Sequence, residues 1–327
     1  MNRPVPIPVG YFGKVPGRGD FVKSGDNPAL TKLLDGWLAQ TMDLLALDAR
    51  WKLTYDAVAP LHFAFIGPRR GRAIAGHLVA SSDQSGRRFP FLMMGTMEVA
   101  QPAAFVADSP LVLSRLWSRL ESLSAGVLGA PEPGAELQAA ATSSIELDLR
   151  SSAYEAAYND FLELQTVGAL QAMLAQAGFG GSVRQLLLAL GLLLQPVLAT
   201  GSSRLDKSLV LPLPQDPMYR SLAGAFWMHL ITPFLARADF ELSLFVTRLD
   251  NRPALVLGFS GASAQTLQAL MDPQVGLEHH IAFDQLDWVE DQVDADYGIK
   301  KVSTYLAQNA LSLKSACESV HAAFIGT

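Results

Sequence analysis

Three short runs most restrict the folds open to this chain: "LHFAFIG" (61–67), "AIAGHLVA" (73–80) and "FPFLMMGTMEV" (89–99). Each has strand length and the aromatic or branched side chains that suit a pleated surface. Gly67-Pro68-Arg69-Arg70-Gly71 separates the first two, a spacing that indicates a hairpin and a mixed sheet. Helical patterns surround these strands. "DNPALTKLLDGWLAQTMDLL" has Asn27 as a cap and Pro28 at the first helical position. Its Leu30, Leu33, Leu34, Trp37, Leu38 and Leu45 recur on one face. A second capped helix is expected to start at Ser109-Pro110, with Leu113, Leu116, Trp117, Leu120 and Leu123 on one side.

Small, Pro/Gly-bearing residues 124–144 mark a candidate boundary. Beyond them the spacing predicts helices near 152–178, 182–199 and 217–237, strands near 241–248 and 253–259, and a short helix near 262–271. In the last stretch Val302, Leu306, Leu313, Cys317, Val320 and Phe324 share one helical face. The expected fold class is α/β: a mixed β-sheet covered by helices, sandwich-like (α/β/α), with a helix-rich C-terminal half. Residues 1–130 are expected to form an N-terminal α/β domain. Residues 145–298 then form a helix-rich second half, separate or completing the same fold, and 299–327 a C-terminal amphipathic helix.

With 327 residues, half of them hydrophobic and 17% charged, the chain has ample material for a buried core. A net charge of −6 argues against nucleic acid as the main partner, because the global attraction for phosphate is missing. Cys317 is the only cysteine, which excludes an internal disulfide and a cysteine-rich metal site and fits a reducing, cytoplasmic compartment. The start, "MNRPVPIPVGYFG", has interrupting prolines and no continuous apolar core, unlike a signal peptide. The most apolar run, "LLLALGLLL" (186–194), falls short of the ~20 residues a bilayer span requires. It reads as a buried helix, and no membrane span is expected.

Four places carry candidate chemistry. "GKVPGRGD" (13–20) is basic and glycine-rich, yet it has neither the spacing of a phosphate-binding P-loop nor that of a dinucleotide fingerprint, and no obvious strand precedes it. A tight turn is favoured, with Gly13, Gly17 and Gly19 supplying backbone freedom, Pro16 fixing one φ, and Asp20 holding the turn. "SSDQSGRRFPF" (81–91) has a similar composition. His77 lies four residues upstream on a strand pattern, and an Asp83–Arg87 pair across a turn is favoured over catalysis. "LVLGFSGAS" (255–263) has the strand–turn–helix setting of a hydrolase nucleophile, with Asp284 and His321 following Ser260 in the right order. His321, however, sits within a helix pattern, so a turn with a serine cap is favoured. Lastly, His279 and His280 with Asp284 suggest a metal, but adjacent side chains on a strand point apart. None of the four is a complete catalytic set. No catalytic residue, metal or cofactor is assigned.

Taken together, the first two features resemble the TagF/ImpM family of type VI secretion accessory proteins, most strongly over residues 8–125. The matching positions are Gly13, Lys14, Pro16, Arg18, Gly19, Asp20 and Phe21, then Ser81, Asp83, Gly86, Arg87, Phe89 and Pro90. Ala80 and Gln84 stand where the family more often has Pro and Arg, and Leu244-Phe245 where a Trp pair is common. The resemblance implies an α/β sandwich without established catalysis. It also implies a cytoplasmic post-translational regulator, usually a repressor, whose partner is a forkhead-associated scaffold protein on a path controlled by threonine phosphorylation. Lys14, Arg18, Asp20, Asp83, Arg87 and Arg88 are dense charge in a sparsely charged chain. The two loops are expected to lie together, with Asp20 or Asp83 pairing an arginine from the other loop. Two enzyme alternatives stand beside this interaction module: a nucleotide- or phosphate-binding enzyme using the basic loops, and a serine hydrolase using Ser260.

Overall fold

A computed structural model of the protein describes residues 4–25, 27–201 and 205–326. Met1–Arg3 of the N-terminal start, Asp26 ahead of the capped helix and Thr327 lie outside them. In chain order the strands are β1 (Val5–Pro8), β2 (Gly10–Gly13), β3 (Val22–Ser24), β4 (Leu61–Ile66), β5 (Arg72–Val79) and β6 (Phe91–Glu98). They continue as β7 (Ser144–Leu147), β8 (Ser208–Pro212), β9 (Leu242–Leu249), β10 (Arg252–Gly258) and β11 (His280–Ala282). Strands β1 and β7 pair by themselves, and the other nine form one sheet ordered β11-β8-β10-β9-β4-β5-β6-β2-β3. Every pairing in it is antiparallel except β11 with β8, so the sheet is mixed.

Helices cover both faces, which is why the central strands read as nearly continuous apolar runs. Alternate residues serve two cores. Phe63, Leu92, Phe245 and Val256 face one side, beneath helices Pro28–Leu45 and Ala264–Met271. Ala64, Met93, Leu244 and Leu255 face the other, with helices Pro102–Val112, Ser114–Gly129, Val183–Thr200 and Pro217–Ile231. The α/β class and the helix-rich second half follow directly. Helix Val183–Thr200 is long and apolar enough to cross a membrane by length and composition, but its Leu186, Leu187, Leu188 and Leu190 are buried in this core. Asn27 caps the first helix as expected, its side chain accepting from the Leu30 N–H at 3.1 Å.

Several elements differ from expectation. A strand does precede the opening loop: β2 ends at Gly13, and the loop returns along β3 as a hairpin. The Ser109-Pro110 pair does not start a helix. Pro102 takes the first turn, and Pro110 lies inside Pro102–Val112. Proline has no N–H for the carbonyl four residues back, and the Ser109 hydroxyl donates to that Val106 carbonyl at 2.9 Å instead. The stretch 124–144 is largely helical, through Ser114–Gly129 and Gly134–Ala141.

The helical patterns near 152–178 and 299–327 are each interrupted. The first becomes Glu155–Leu164 and Val167–Gln176, the second Tyr297–Leu306 and Leu313–Phe324. The two breaks hold each other. Val167 N–H donates to Leu311 O, Gly168 N–H to Asn309 O, and Leu313 N–H to Gln165 O. Backbone groups released from both helices are thereby satisfied.

Candidate functional site

Gly13 on β2 stands opposite Phe91 on β6. That register places the residues after Gly13 beside those before Phe91, so the two motif loops must meet. Gly13 is required at the junction: its φ is +134°, and a Cβ there would lie 2.1 Å from the Pro90 carbonyl oxygen. Gly17 is also crowded, since a Cβ would lie 2.5 Å from Pro133 Cδ. The turn that divides residues 124–144 thus packs against the opening loop.

Asp83 is the centre of the joined loops, 2% exposed. Its Oδ1 accepts from the backbone N–H groups of Ser85 (2.9 Å) and Arg87 (3.0 Å), closing its own loop. Its Oδ2 meets Lys14 Nζ at 3.0 Å across the loops and Arg87 Nε at 2.7 Å. Burial alone would raise the carboxyl pKa. The Arg87 N–H, the Lys14 ammonium, the Arg87 guanidinium and the Ser85 N–H outweigh burial and hold it well below the usual range. Two further bonds fasten the loops: Arg87 Nη2 donates to Gly19 O at 2.7 Å, and Gln84 N–H to Arg18 O at 2.9 Å. Gly86 turns the second loop with φ +76°.

The cross-loop partner of Asp83 is therefore Lys14, not an arginine. Asp20 is exposed and forms no ion pair among the described residues, so it does not hold the turn. Pro16, Arg18 and Gly19 are exposed beside it. Phe21, 46% exposed, stacks on Phe12 at 5.5 Å and meets Phe89 edge-on at 4.9 Å, while Lys14 Nζ lies 5.0 Å from its ring centre. Phe89 and Pro90 are buried.

Ser81 is held from below. Its N–H donates to the Tyr55 hydroxyl at 2.8 Å, and the same hydroxyl donates to Ser81 O at 3.0 Å. Arg88 clamps Asp56 with two bonds, at 2.7 and 2.5 Å. Tyr55, Asp56 and Phe12 were absent from the sequence-derived set. Nothing in their local spacing marks them, because they reach the loops through the fold.

The other candidates stay apart. Ser260 is exposed after β10, and Ser263, not Ser260, caps the following helix. Asp284 pairs with Arg252 at 2.6 Å, and His321 Nε2 meets Leu230 O at 3.0 Å. Both would-be triad partners are thus engaged elsewhere, and Ser260, Asp284 and His321 do not form a hydrolase triad. His279 contacts Gln265 at 3.1 Å, and the His280 ring nitrogens are buried.

A β-hairpin locked to a second turn through a buried lysine–aspartate pair, on a sheet with helices on both faces, defines a scaffold that displays a shaped loop surface. Residues 10–143 match the family model of the TagF N-terminal domain, type VI secretion system-associated. Among solved structures, PA0076 from Pseudomonas aeruginosa PAO1 is similar, with 31% identity and a TM-score of 0.34. That likeness covers 41% of this chain and 62% of PA0076, less than two thirds of its length. No curated protein matches the chain.

Proposed function

We propose that the protein is a type VI secretion accessory protein acting in the cytoplasm as a post-translational regulator, a repressor, through the face made by its two loops. The partner proposed is a forkhead-associated scaffold protein of the secretion system. One observation supports this reading: exposed Arg18, Asp20, Phe21 and Arg87 stand on a floor stiffened by the buried Lys14–Asp83 pair. An exposed aromatic and arginines on a rigid base is the composition of interface hot spots. The phosphate-binding alternative has less support, because Lys14 and Arg87 both engage Asp83.

Affinity purification of the tagged full chain from its host tests the proposal. The scaffold is expected with the unaltered chain. Its recovery should fall about tenfold or more with Arg18→Ala and Asp20→Ala combined, while Tm is unchanged. Equal recovery from both, or recovery of no secretion component, would overturn the proposal.

A further inference from the structure

On the sheet face opposite Phe12 and Phe89, a cleft of about 340 Å³ opens between helices Ser114–Gly129 and Pro217–Ile231. Its floor is apolar, formed by Val246 on β9, Leu255 on β10 and Leu213. A small cleft, mostly apolar with a few polar groups converging on it, is the usual form of a small-molecule site.

Its titratable groups are His62, Glu121 and Arg220, with the hydroxyl-bearing Ser114, Ser118 and Ser221 also in the lining. His62 Nδ1 lies 3.1 Å from His77 Nδ1, so one imidazole donates and the other accepts. Burial first, then His77, then Arg220 depress the His62 pKa to about 3, and burial depresses His77 to about 4. Both rings are uncharged at neutral pH. The His62 ring stacks against Trp117 at 5.6 Å, and its Nε2 lies 3.8 Å from Glu121 Oε2, beyond hydrogen-bond reach.

Arg220 enters from the second half of the chain. Its Nη2 donates to Gln215 O at 2.7 Å and its Nε to Pro214 O at 3.4 Å, which hold the guanidinium in place. Burial and Arg248 disfavour its charge, and Glu121 and Asp216 favour it. Yet Glu121 and Arg220 form no ion pair among the described residues. Two opposite charges thus line one apolar cleft and feel each other without touching.

We propose that the cleft binds a small zwitterion with an apolar body, an apolar α-amino acid, its carboxylate on Arg220 and its ammonium on Glu121. The apolar side chain lies on Val246, Leu255 and Leu213, and His62 Nε2 offers the carboxylate or ammonium a further hydrogen bond. Arg220 lies beyond residues 10–143, so this site belongs to the whole chain and not to the TagF domain alone. A bound ligand would bridge Glu121 and Arg220 and raise stability by mass action.

Calorimetry and thermal melts of the full chain with L-leucine and L-phenylalanine test this. The controls are 4-methylvalerate, which lacks the ammonium, and isoamylamine, which lacks the carboxylate. At least one amino acid should bind saturably at one site and raise Tm, with each control about tenfold weaker or worse. Arg220→Gln should weaken the amino acid and 4-methylvalerate but spare isoamylamine, whereas Glu121→Gln should weaken the amino acid and isoamylamine but spare 4-methylvalerate. The Glu121 side chain is 57% exposed, so that variant folds even if the arginine variant does not. No saturable binding of either amino acid up to about 10 mM, or binding indifferent to Glu121→Gln, would overturn the proposal.

Discussion

At the residue scale, the Asp83 carboxylate satisfies its lone pairs with two backbone N–H groups and two cations, and those partners differ in depth. Lys14 is 8% exposed overall, whereas the Arg87 side chain is 61% exposed. Losing a buried partner leaves an uncompensated charge; losing an exposed one is buffered by water. Asp83→Asn should therefore lower Tm most, Lys14→Met less, and Arg87→Ala least, at about 1 kcal/mol or below. Denaturant melts check the order, and a dominant Arg87 would contradict the layered account. The depressed Asp83 pKa also has a pH signature. The unfolded chain binds its proton near pH 3.9 and the folded chain only at lower pH, so the contribution is complete only above about pH 5 and is lost on acidification. Across that acid range the Tm of Asp83→Asn should fall less steeply than that of the unaltered protein.

At the element scale, Gly13 is the hinge of the site. Gly13→Ala would need a strained φ and a Cβ 2.1 Å from Pro90 O, so it should cost several kcal/mol or abolish folding, as soluble yield and urea melts would show. Legibility followed the same local rule. Strands β4, β5 and β6 were readable because each carries enough branched and aromatic residues to show its type alone. Strand β2 was not: "GYFG" is short, half glycine and buried throughout, so it shows no alternation. Strands β8 and β11, five and three residues long, are defined by neighbours far along the chain. The breaks in the two helical patterns were hidden for that reason too, since the carbonyls that receive the freed N–H groups lie over a hundred residues away. The meeting of the two loops was legible from their shared composition. The choice of Lys14 over an arginine was not, because it depends on depth: Lys14 adjoins the β2–β6 register, while Arg18 sits out at the tip.

At the scale of the whole molecule, β4 pairs along its length with β9, setting Phe63 against Phe245 and Ala64 against Leu244. Trp37 adds to the seam, donating its indole N–H to Ser263 O at 3.1 Å and stacking on Phe245 at 6.4 Å. A fragment ending at residue 149 would keep β1 to β7 but lose β9 and part of the cover on each face, helix Ala264–Met271 from one and helices Val183–Thr200 and Pro217–Ile231 from the other. Strand β4 would become an edge, apolar on each side, with unpaired backbone groups along it. Such an edge invites pairing with other chains, and the exposed cores would fluctuate. The fragment should therefore aggregate or show dye-binding apolar surface without near-ultraviolet dichroism, and co-expression of residues 150–327 should restore a soluble, cooperative species. Strands β8 to β11, all beyond residue 149, complete the nine-stranded sheet. A fragment that melted cooperatively as a monomer would show instead that the N-terminal domain closes its core without β9.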